Sequence, residues 1–132
     1  MSGDQEAFLA SKAFAVVGAS NNRNKYGNKV LRCYLQNNKK VYPIHFTEES
    51  IEGEKCYKKI EDLPAEVESL SIITPPPVTE EYVKKAIAKK IKNIWMQPGA
   101  ESPKAIRDCL DNGINVIAGG PCILVRLGFN DW

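Results

Sequence analysis

This chain has one histidine, His45, and four cysteines with no C-x-x-C pair among them. That set suits zinc poorly, and Cys33, Cys56, Cys109 and Cys122 read as free thiols in a reducing, cytoplasmic setting. Aromatic residues make up only 8% of the sequence, and no Lys/Arg run carries the spacing of a base-stacking surface. With a formal net charge of +2, nucleic acid is not an expected partner. The basic pairs at 39–40, 58–59, 84–85 and 89–90 are scattered and read as solvated helix faces and turns. No apolar stretch approaches the roughly 20 residues of a membrane span. Residues 1–12 are acidic and mixed, unlike the basic-then-apolar order of a secretory signal. Two phosphate-binding signatures are missing as well, the G-x-G-x-x-G fingerprint and the G-x-x-x-x-G-K-[ST] loop.

What is present is an ordinary globular balance, 43% hydrophobic and 26% charged over 132 residues, enough for one domain spanning the whole chain. Short apolar runs alternate with helical patterns. Strands are predicted at 13–17 (AFAVV), 41–44 (VYPI), 70–74 (LSIIT), 94–97 (IWMQ) and 114–117 (INVI). A helix opens at Gly27 and buries Val30, Leu31, Tyr34 and Leu35. Another is expected with Thr79 as its cap, Glu80 and Glu81 in its first turn and Val78 stapled onto Val83; its apolar stripe is Val83, Ala86, Ile87 and Ile91. Ser102 followed by Pro103 starts a third, with Ile106, Cys109 and Leu110 inward. Pro43 lacks a ladder donor, which is easiest to accept at a strand end or on an irregular stretch. The pattern predicts a three-layer, Rossmann-like α/β domain with a five-stranded, mainly parallel sheet and helices on both faces. By analogy with that class, the expected strand order is 3-2-1-4-5.

Ligands of such sheets sit beyond the carboxyl ends of the strands. Five segments fall on that rim: residues 18–27, 45–47, 74–76, 97–99 and 119–122. In the first, Gly18 allows a tight turn, Ser20 offers a hydroxyl, and Gly27 lets a helix N-terminus approach an anion. Arg23 and Lys25 add positive charge to the same loop. Gly18 is expected to serve ligand approach, so that Gly18→Val would abolish binding in a folded domain. After the second strand stand His45 and Phe46, where an NAD site would carry an acid for the ribose hydroxyls. His45 has no nucleophile paired with it and reads as a ligand contact, while Glu48, Glu49 and Glu52 read as solvated. Three prolines at 75–77 stiffen the backbone where a flat adenine or an extended arm could lie. Cys122 is the one cysteine placed at the rim; Cys33 and Cys109 read as core.

Taken in order, AVVGAS at 15–20, VYPI at 41–44, IEG at 51–53, TPP at 74–76, WMQPG at 95–99 and GINVI at 113–117 resemble the stand-alone CoA-binding domain family. That family is related to the N-terminal domain of the succinyl-CoA synthetase alpha subunit, and the resemblance spans about residues 10 to 125. It implies a domain that binds coenzyme A or an acyl-CoA, a small nucleotide ligand, with no catalysis of its own. By position, Gly18, Ala19, Ser20, Arg23, Lys25, Tyr26 and Gly27 would surround the phosphates. His45, Thr74, Pro75 and Pro76 would line the adenine or pantetheine path, and Gln97 would close the rim. Family members often carry Asn-Pro where this chain has His45-Phe46, and Asp-Arg-Cys where it has Gly120-Pro121-Cys122. The synthetase's phosphorylated histidine lies in a further domain, so a complete ligase is not expected here. Two other readings stay open at this point: a nucleotide-binding subunit that works with a protein partner, and an NAD(P)-binding protein.

Overall fold

In a computed structural model that describes residues 3–131, every residue of β1 (Ala13–Val17) is buried, as befits a strand covered on both faces. Alternate side chains divide between two cores. Ala13, Ala15 and Val17 face one, with Val83 and Ala86 of α3 (Pro76–Lys89) and Ala105 and Cys109 of α4 (Pro103–Asp111). Phe14 and Val16 face the other, with Phe8 of α1 (Gln5–Leu9), Val30, Leu31 and Tyr34 of α2 (Tyr26–Gln36) and Ile123 of α5 (Ile123–Leu127). The result is the three-layer, Rossmann-like arrangement. β2 (Val41–Ile44), β5 (Val67–Ile72), β6 (Asn93–Met96) and β7 (Asn115–Ile117) pair with β1 in a wholly parallel five-stranded sheet.

The strand order is β2-β1-β5-β6-β7, so the third long strand lies beside β1 and not outside β2 as the sequence reading had it. Pro43 gives the physical reason. A strand with a missing ladder donor is tolerated at a sheet edge, and the expected order would have placed it in the interior. The irregular stretch after β2 contains a small antiparallel hairpin, β3 (Ser50–Ile51) with β4 (Glu54–Lys55). Its two-residue turn, Glu52-Gly53, has positive φ at both positions, 51° and 80°, the geometry of a tight primed turn.

Two helix details also differ from expectation. α3 begins at Pro76, and Thr79 lies inside its first turn, fully buried, with its hydroxyl bonded to the Thr74 hydroxyl at 2.7 Å. Proline is pre-set for a first helical position, so the proline run starts the helix instead of merely ending the strand. Leu110 is 46% exposed, and Ala105 takes the inward position expected of it. The cap at Ser102 is as read: its hydroxyl accepts from Ala105 N at 3.2 Å. Strand β5 stops at Ile72, which leaves Ile73 and Thr74 on the rim.

Candidate functional site

The chain leaves β1 through α2 toward β2 and leaves β5 through α3 toward β6, in opposite directions along the sheet. The crevice between these two strand ends is where an open α/β sheet receives a ligand. A cleft of about 560 Å³ opens there, lined by residues 18–20 and 24–27 together with His45 and Ile73.

Two glycines shape it. Gly18 has φ +97°, and a Cβ on it would lie 2.4 Å from the carbonyl oxygen of Ile73. A Cβ on Gly27 would lie 1.9 Å from the carbonyl oxygen of Gly18. Both glycines therefore hold the backbone together before any ligand arrives, and Gly18→Val would damage the fold as well as the cleft. That corrects the expectation that such a variant stays intact.

Between them the loop braces itself. The Ser20 hydroxyl accepts from Asn22 N at 3.0 Å, and the Asn22 side chain accepts from Asn24 N at 3.0 Å. Behind the loop, buried Asn28 donates to the Ser20 carbonyl at 2.9 Å and to Glu52 at 3.1 Å. Buried Arg32 donates to Asn28 at 2.6 Å and to the Arg23 carbonyl at 3.0 Å. Asn28 and Arg32 are one helical turn apart, which puts both on the face of α2 under the loop. Lys25 stands at the N-cap of α2 without a side-chain cap bond, and the helix has no acid in its first turn. Its first amides and the positive end of its dipole are left for an anion.

The predicted residues are distributed unevenly. Gly18, Ala19, Ser20, Lys25, Tyr26, Gly27 and His45 converge on the cleft. Arg23 belongs to the same loop, but its guanidinium pairs with Glu52 of the hairpin turn at 2.6 Å. Glu52 is thus a partner in the loop's support and not the solvated side chain expected. Its partial burial opposes ionisation, yet hydrogen bonds from Asn28 and Arg23, with the charges of Arg23 and Arg32, hold its carboxyl below the usual range. The Asn21 amide adds a further link, donating to the Glu48 carboxylate just ahead of the hairpin and to the Ser50 carbonyl at 3.5 Å.

Thr74 and Pro75 line an adjoining cavity of about 310 Å³ with Pro98, whereas Pro76 is exposed at the start of α3 and lines neither space. Gln97 lines a third cavity of about 210 Å³ with Tyr26, Ile73, Pro98 and Cys122. Its side chain is only 3% exposed and accepts from Ile123 N at 2.8 Å, tying down the start of α5. Its amide nitrogen lies 3.3 Å from the sulfur of Cys122. Cys33, Cys56 and Cys109 are buried, which pushes their thiols up to about 11, 11 and 12. Ile73 joins all three cavities into one rim and was not foreseen, since the sequence placed it inside a strand. Asn24 was missed too; its only signal was the Asn-rich loop.

Among the described residues, no group of three His, Cys, Asp or Glu could hold a metal ion, and no helix is long and apolar enough to cross a membrane. The alpha subunit of an ADP-forming acetate–CoA ligase II from Pyrococcus furiosus is 31% identical over 88 residues, covering 66% of this chain and 19% of that subunit. The matches span between 11% and 19% of the length of the curated relatives. A conserved hypothetical protein of known structure, also from Pyrococcus furiosus, superposes with a TM-score of 0.82 at 36% identity, covering 87% of this chain and 98% of that one. The dinucleotide-forming acetyl-coenzyme A synthetase 1 of Ca. Korarchaeum cryptofilum, solved with phosphate and ADP, superposes at 0.77 and 29% identity over 87% of this chain and 27% of its own. Residues 12–128 match the family model described as a CoA binding domain, and the chain belongs to that family.

Proposed function

We propose that this domain binds coenzyme A or an acyl-CoA in the switch-point cleft and performs no chemistry alone. The observation that carries the reading is the contact of Gly27 with the Gly18 carbonyl, which draws the uncapped start of α2 against the end of β1. That cradle suits a diphosphate, because backbone amides, the helix dipole and Lys25 all favour negative charge. No carboxylate lines the cleft. The adenine or pantetheine arm would run past His45, or along Ile73, Thr74 and Pro75 toward Gln97, following the joined cavities. Pro76 would contribute by fixing the start of α3, and Arg23 by holding the loop against the hairpin.

A protein partner is part of the proposal. The Pyrococcus furiosus relative is one subunit of a ligase, and this chain matches a fifth of it at most. A domain that holds the nucleotide while another chain supplies the reacting groups fits a chain that matches only a small part of that subunit. Titration calorimetry of the purified chain with CoA and acetyl-CoA at low and high salt tests the binding claim. One saturable site that weakens with salt is expected; absence of heat with either compound contradicts it. Pull-down of a stoichiometric second chain from native extract tests the partner.

A further inference from the structure

At the end of β2, where dinucleotide-binding sheets carry an acid for the ribose hydroxyls, this protein has an imidazole with a fixed orientation. His45 Nδ1 accepts from the backbone N–H of Thr47 at 3.1 Å and of Glu48 at 3.0 Å. Its own backbone is held by the bond from His45 N to the Tyr57 carbonyl at 3.0 Å. With Nδ1 committed as an acceptor twice over, the ring's proton resides on Nε2. The free end of the ring is therefore a donor. It cannot accept from ribose hydroxyls as a carboxylate does, and it lines the cleft together with Lys25 and no acid.

We infer that His45 Nε2–H reads a phosphomonoester on the adenosine ribose, so that the domain selects coenzyme A over its 3′-dephospho form. This assignment rests on the CoA reading above and adds to it a specificity residue. The logic is that of matched partners. A donor facing two hydroxyls gains little over water, whereas a donor facing a phosphate oxygen makes a charge-assisted bond that the dephospho compound lacks. The rigid turn keeps the ordering cost low, because the ring is already placed.

The substitution His45→Asp gives a direct test. Aspartate can still accept from the amides two and three residues on, so the turn survives, while the outward donor becomes a carboxylate oxygen. Dissociation constants are measured for CoA, 3′-dephospho-CoA, NADP and NAD on wild type, His45→Asp and Lys25→Ala, with melting curves to verify folding. Wild type is expected to prefer CoA over dephospho-CoA by about tenfold or more. His45→Asp should erase or invert that preference, and Lys25→Ala should weaken both compounds alike. Equal affinity of wild type for CoA and dephospho-CoA overturns the assignment and leaves the CoA reading standing. So does a preference unchanged in a folded His45→Asp. Discrimination between NADP and NAD without binding of either CoA compound retains the phosphate-reading role and overturns the CoA reading. Failure of all four compounds to bind overturns both.

Discussion

A methyl group on Gly27 would sit 1.9 Å from the carbonyl oxygen of Gly18, a separation that no non-bonded carbon and oxygen tolerate. Neither side of that contact can yield cheaply, since Gly18 is itself pinned against Ile73 and Gly27 opens a helix packed on the core. Gly27→Ala is therefore expected to cost on the order of 2 kcal/mol, in the range of other overpacked sites. That corresponds to roughly 4 °C in melting temperature per kcal/mol for a chain this long. Nucleotide affinity should fall with it. A melting curve and a CoA titration on the same preparation check both, and a variant as stable as wild type would mean the loop relaxes freely.

Lys25 stands at the N-cap of α2 and lines the cleft. Lys25→Ala should weaken CoA binding by about tenfold at low salt, as for a single charge-assisted contact, and by less at high salt. Calorimetry at two ionic strengths measures this. A loss that salt does not alter would place the lysine away from the phosphates.

Glu52 joins the hairpin to the loop after β1 through Arg23 and Asn28. Its native carboxyl lies below the ordinary value of 4.5, so it contributes stability that is present above that value and lost as pH falls through the lowered one. Glu52→Gln should accordingly flatten the loss of melting temperature on acidification below about pH 4.5. The same variant should speed tryptic cleavage after Arg23 several-fold at neutral pH, because the charged link between the loop and the hairpin is weakened. Equal cleavage rates would show that the ion pair does not order the loop.

The cysteines predict an order of labelling and a response to alkali. Cys122 is half-buried beside Gln97, while Cys33, Cys56 and Cys109 are buried. A thiol reagent should modify Cys122 first, and bound CoA should slow it if the pantetheine arm reaches the third cavity. The three buried thiols lose protons at about 11 to 12 in the fold and near 9.0 when unfolded. Between those values the unfolded chain holds fewer protons, so stability falls as pH rises through that window. Mass spectrometry of a labelling time course and melting curves from pH 8 to 11 test the two halves.

Elements whose signal is local were legible in the sequence. The run at 13–17, the cap and proline at 102–103 and the loop glycines required only neighbours a few residues away. Strand order was not legible that way, because right-handed crossovers allow more than one sequence of neighbours. Pro43 held the missing information, since a strand without a donor belongs at an edge. The start of α3 went astray because Thr79 is a good cap in isolation, whereas three consecutive prolines favour an earlier first turn. Within the site, the partners of Arg23 and Asn28 lie 29 and 24 residues away on a hairpin turn, a distance at which no periodicity speaks. Ile73 was hidden for the opposite reason. It reads as one more strand residue, and only the early end of β5 turns it into the floor shared by three cavities.

The most direct test of the account is the change in melting temperature of the purified chain with excess CoA, NAD and ATP in parallel. A ligand that binds only the folded state raises stability by roughly 2.7 kcal/mol at a hundredfold excess over its dissociation constant. The account predicts such a rise with CoA, a smaller one or none with NAD, and a CoA effect cut to about half in Lys25→Ala at the same CoA concentration, as a tenfold weaker site requires. A rise with NAD and none with CoA would contradict it.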